Sequence, residues 1–161
     1  MIAGSGLSAI AAPVRAGIEA TRAAIEGLPG CDLALVFASG APAAEPALLA
    51  AAVQEISGAT ALVGCSGAGV LTEAGEVEGD GVAVLALSAV SVRTAQRAGL
   101  YHPQTVSLAL ADLDLTDRGA IIALFDAMKI AVQPTTAAIQ RQVPISVPIL
   151  GGGALSPQGS A

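Results

Sequence analysis

Aromatic residues are nearly missing from this chain, which has two Phe, one Tyr and no Trp in 161 residues. Its core must therefore be built from Val, Ile, Leu and Ala, a set suited to helices packed tightly on a sheet. Charge is scarce as well, at 12% against 53% hydrophobic residues. That balance excludes intrinsic disorder, which needs low hydrophobicity and high charge. Only seven Lys and Arg residues are present, they are scattered, and the net charge is −6. Nucleic acid is excluded as a partner, because it demands clustered cations for phosphates and aromatics for bases. No uninterrupted apolar run approaches the roughly 20 residues of a membrane span. The stretch Met1–Pro13 has no basic residue ahead of its weakly apolar run, unlike a secretory signal. The expectation is a soluble cytoplasmic protein with no membrane partner.

Reactive and metal-binding residues are equally few. Cys31 and Cys65 fit reduced thiols better than a disulfide framework. A single histidine, His102, and the lack of C-x-x-C or H-x-x-x-H spacing leave no zinc set. Asp112, Asp114 and Asp117 are interleaved with Leu113 and Leu115, and the glycine and final glutamate of a calcium loop are missing. They read as acids at a strand end and a helix N-terminus, where the helix dipole favours them. No metal and no cofactor is expected.

What is present suits a single domain over residues 1–161, long enough to bury a sizeable core. The charge-poor surface also implies apolar area covered by a partner or by further polypeptide. Residues 13–28 read as an amphipathic helix with Pro13 in its first turn, Val14, Ile18, Ile25 and Leu28 inward, and Gly30 ending it. Asp32–Ser39 reads as a strand covered on both faces. A second helix runs from Pro46 to about Ile56, with Gly58 past its end. Ala61–Gly64 is a short buried strand entering the loop Cys65–Val70. Helix then strand, twice over, predicts parallel pairing.

The pattern then changes. Glu73–Asp80 reads as a solvated turn, Gly81–Ser88 as a buried strand, and Val92–Arg97 and Thr105–Leu110 as alternating strands. Strands without intervening helices predict antiparallel pairing. A helix over Asp117–Ala131 capped by Thr116, a helical turn within Thr136–Val143, and a proline-weakened strand at Ile145–Leu150 complete the reading. The fold class is α/β with α+β character, a mixed sheet with helices packed on it. The glycine run Gly151–Gly153 near the end points to a domain incomplete at its C-terminal side.

Four motifs bear on function. Gly4-Ser5-Gly6-Leu7-Ser8-Ala9 spells G-x-G-x-x-A, but three residues cannot supply the strand a dinucleotide site needs before its glycines. Gly64-Cys65-Ser66-Gly67-Ala68-Gly69 follows a strand, where α/β ligand crevices form. Its glycines permit φ > 0 and close backbone approach, and exposed N–H groups there can nest a carboxylate. A plain tight turn explains the spacing equally well. Cys65 or Ser66 as a nucleophile needs a base, and His102, in a loop before Pro103, is more often structural. Arg93 and Arg97 share a face if Val92–Arg97 is a strand, and read as solubilising charges on an edge.

The runs Asp32–Ser39, Leu62–Gly69 and Gly81–Leu87, opened by Gly4–Ser8 and closed by Ile149–Ala154, resemble in order the N-terminal region of FIST sensory domains. The strand followed by Gly64-Cys65-Ser66-Gly67-Ala68-Gly69 is the most specific element. Gly67 and Val70 depart from it, standing where that family commonly has Thr and Glu. The resemblance implies an intracellular input module of a signal-transduction protein that senses small molecules such as amino acids. It further implies a C-terminal FIST region or output domain as partner. No catalytic residue is carried over, and the ligand-binding expectation rests on Gly64, Cys65, Ser66, Gly67, Ala68 and Gly69. The alternatives are a thiol or serine hydrolase using Cys65 or Ser66, and a protein-interaction scaffold.

Overall fold

Leu33–Ser39 (β2) and Gly81–Ser88 (β6) are apolar at nearly every position, and they lie side by side in the middle of a four-stranded sheet. The computed structural model describes residues 1–98, 102–111, 113 and 119–154. They divide into a unit built on Met1–Val92 and a unit built on Arg93–Ser156.

In the first unit the strand order is β1-β6-β2-β3, with Ile2–Ser8 as β1 and Ala61–Ser66 as β3. β2 and β3 are parallel, whereas β6 runs antiparallel to both β1 and β2. The sheet is mixed. The sequence pattern predicts a buried β3, but at the sheet's end it is only half-buried.

The helices Pro13–Ile25 (α1), Gly40–Ala44 (α2) and Pro46–Ser57 (α3) supply one core with one face of this sheet. Ala34, Val36, Val82 and Val84 meet Ala16, Ala20, Ala24 and Val53 there. Each fully buried valine contributes about 1.5–3 kcal/mol by leaving water. Gly58, at φ 58, closes α3 as its spacing predicted. Gly27, at φ 74, follows the end of α1 in the role expected of Gly30.

The inward face of α1 differs from the expected one. Val14 is exposed and Ile18, Ile25 and Leu28 are half-buried, while Ala16, Gly17, Ala20, Thr21 and Ala24 are buried. The reason lies in β1. A Cβ at Gly4 would strike the Ala24 carbonyl, and one at Gly6 would strike that of Ala20. The glycines of the opening motif thus let helix and strand backbones approach closely, and only small residues fit between.

Glu73–Asp80 is not a simple turn. Gly69–Thr72 (β4) and Gly75–Glu78 (β5) form an antiparallel hairpin in which Val70 pairs with Val77. Val70 is 4% exposed and, with Val77, packs where a Cβ on Gly81 would stand. A carboxylate at 70 would be buried there, so the apolar departure suits the packing. Asp80 then caps α2, accepting a hydrogen bond from the Ala41 N–H at 2.7 Å.

The second unit pairs Ile121–Asp126 (β7) in parallel with Ile149–Ala154 (β8). Helices Val106–Leu110 (α4) and Val132–Gln140 (α5) place Val106, Leu110, Ala138 and Ile139 in its core. Several expectations fail here. Val92–Arg97 has no regular structure, since Arg93, Thr94, Gln96 and Arg97 leave neither face apolar. Thr105–Leu110 is a 3-10 turn, Pro103–Thr105, leading into α4. The helix expected over Asp117–Ala131 is overturned at Ile121–Asp126, where β-branched residues pair with β8. Its cap Thr116, like Asp117, lies outside the described residues. Pro134 is accommodated in the first turn of α5, where no N–H bond is lost. Gly151–Gly153 belong to β8 rather than to a loop.

Candidate functional site

The six residues Gly64–Gly69 form a strand end, a two-residue connection and a strand start. Gly64, Cys65 and Ser66 belong to β3, Gly67 and Ala68 connect, and Gly69 begins β4. Val36, Phe37 and Ala38 of β2 stand opposite Gly64, Cys65 and Ser66. The Gly67 N–H is already engaged, donating to the Ala38 carbonyl at 2.9 Å.

None of Gly64, Gly67 and Gly69 is among the positive-φ glycines. These glycines therefore supply no left-handed residue of the kind that shapes the αR-αL form of an N–H nest. What Gly64 provides is close approach, because a Cβ there would collide with the Val36 carbonyl. Ala68 and Gly69 are exposed, and Gly67 is half-buried.

Cys65 is half-buried, and burial pushes its thiol pKa up. A nucleophilic cysteine needs the opposite shift. His102 is exposed in the second unit, where its carbonyl accepts the Thr105 hydroxyl at 2.6 Å. Cys31 is buried and donates to the Leu33 carbonyl at 3.4 Å.

Alternation along the sheet turns Phe37, Ala83, Leu85 and Ser5 to the face opposite the helices, where they share a register. Together with Leu71, Thr72 and Glu73 they line a half-open cleft of about 190 Å³. The strands supply an apolar floor, and the hairpin supplies the wall. Ser5 donates a hydrogen bond to the Glu73 carboxylate across the cleft. That bond, followed by one from the Glu73 backbone, holds the Glu73 carboxyl below the usual carboxylate range. Thr72 Oγ1 accepts the Ala74 N–H at 3.1 Å, which orders the turn. The described lining residues include no Lys, Arg or His.

None of the six expected residues lines this cleft, although Gly69 opens the strand that forms its wall. Ser5 stands within the glycine motif of β1, and Glu73 follows β4 in the stretch expected to be a solvated turn. One usable signal was the alternation Gly4-Ser5-Gly6, which sends the glycines to one face and the serine to the other.

Among the described residues, no group of three or more His, Cys, Asp or Glu is placed to hold a metal. Asp112, Asp114 and Asp117 lie outside those residues. No helix is long and apolar enough to cross a membrane among the described residues. The family model of the FIST N domain matches residues 32–159. No curated protein and no solved structure matches the chain.

Proposed function

The chain belongs to the FIST N domain family, a family of signal-transduction sensory domains, and from that premise we propose that it binds a small metabolite in the cytoplasm. The observation that carries this reading is the cleft beneath the hairpin, with an apolar floor and polar rim. Ligand pockets combine an apolar lining with a few placed polar groups in this way. Amino acids and related metabolites are the ligand range proposed. Gly64, Cys65, Ser66, Gly67, Ala68 and Gly69 take part as the crossing that carries β4, with backbone contacts at the exposed Ala68 and Gly69. Occupancy would shift the hairpin, and a C-terminal FIST region or output domain would read that shift. The free thiols Cys31 and Cys65 fit a reducing compartment.

Thermal unfolding of the full chain against a panel of amino acids, short carboxylates and short amines tests the proposal. A ligand that binds only the folded state raises Tm with concentration. The expected result is a rise for at least one class in the panel. A Tm unmoved by every member, up to millimolar concentration, removes the sensory reading.

A further inference from the structure

Oxygen-bearing side chains from two parts of the fold line the cleft: Ser5 from β1, and the adjacent Thr72 and Glu73 at the end of β4 and in the turn after it. All three present acceptor oxygens. Ser5 spends its proton on Glu73, so its lone pairs are left to accept. The Glu73 carboxylate, ionised at neutral pH as an ordinary glutamate is, is an acceptor only. With no cation in the described lining, no opposite charge there answers a ligand's own carboxylate.

The surroundings have the same sign. Residues 73–80 carry Glu73, Glu76, Glu78 and Asp80 with no Lys or Arg among them, and the whole chain has a net charge of −6. Such a field concentrates cations and repels anions. The remaining lining is hydrocarbon and aromatic, from Phe37, Leu71, Ala83 and Leu85. The volume, about 190 Å³, is below that of drug-sized pockets, which begin near roughly 300 Å³.

We propose that this cleft selects a small primary amine with a short branched apolar body, its ammonium on Glu73, Ser5 and Thr72 and its hydrocarbon on Phe37 and Leu85. An ammonium has three N–H donors and no acceptor, and Ser5, Thr72 and Glu73 each carry an oxygen able to accept one. A free amino acid carries the same ammonium, but its carboxylate sits beside Glu73 with no counter-ion. The cleft therefore prefers the amine to the amino acid of the same side chain. This rests on the sensory reading above and narrows its ligand class.

Isobutylamine, valine and isovalerate form a matched set, sharing a branched hydrocarbon and differing in charge. Titration calorimetry and thermal shift on the full chain are expected to show isobutylamine binding more tightly than valine, and isovalerate not binding. Glu73→Gln should weaken isobutylamine binding about tenfold or more, the worth of one charge-assisted hydrogen bond. Ser5→Ala should weaken it less. Circular dichroism of each variant checks that the fold is retained. Valine or isovalerate binding in preference to the amine overturns the amine class while leaving the sensory reading intact. Full affinity for the amine in folded Glu73→Gln also overturns it. Failure of the whole ligand panel removes both.

Discussion

Gly6 shows how much a single absent Cβ decides. A methyl group there would run into the Ala20 carbonyl and lie 2.9 Å from the Ala23 Cβ. Backbone lies in the way, so no side-chain rotation relieves the clash. Gly6→Ala is expected to destabilise the chain by about 1–3 kcal/mol, the usual range for overpacking, read as a lower urea midpoint. An unchanged midpoint would mean that α1 does not depend on this close approach. The glycine spacing at Gly4 and Gly6 is visible in the sequence. That it fits a helix backbone, and not a pyrophosphate, depends on α1 crossing β1, which no local pattern encodes. The same holds for Val70, an apolar departure from the family pattern that makes sense only beside Val77 and Gly81.

At the scale of the element, long periodic segments are legible and short ones are not. α3 and β2 lie close to where their periodicity placed them, because each repeats its pattern enough times to exclude the other period. α4 is the contrary case. Val106, Leu108 and Leu110 alternate like a strand, but Val106 and Leu110 are also four apart, on one helical face. Five residues cannot separate the two periods, and packing against α5 selects the helix. Leu108 is 58% exposed and Leu110 is 9% exposed. Leu110→Ala should therefore cost about 2–5 kcal/mol as a core truncation, while Leu108→Ala stays within about 0.5 kcal/mol as a surface change. Guanidinium unfolding of both variants reads the difference. Equal losses would return the segment to a strand with Leu108 inward.

At the scale of the whole molecule, stability is distributed unevenly within the first unit. β2 and β6 have both neighbours paired and most side chains buried, whereas β4 and β5 pair only with each other. Such differences set the free energy of local opening. In native-state hydrogen exchange, the amides of Leu35, Val36, Val84 and Leu85 should exchange last, and those of β5 early. Equal protection across both sheets would show that the hairpin opens only with the core, and would weaken its role as the moving wall of the cleft.

By itself the sequence determined the chemistry available: an aliphatic core of Val, Ile, Leu and Ala, an acidic stretch over residues 73–80, and a single histidine. It also determined the central strands, the two long helices, the parallel β2–β3 pair and the likeness to the FIST N domain. These follow from local periodicity and from helix-to-strand order, which act over a dozen residues or so. Only the tertiary structure decided that β1 pairs with β6 and that Ser5 meets Glu73, 68 residues away along the chain. It likewise brought Phe37 and Leu85 together as the floor of an apolar cleft. Sheet register and cleft walls come from contacts between distant segments, and side-chain alternation records only which face a residue takes, not what will stand opposite it.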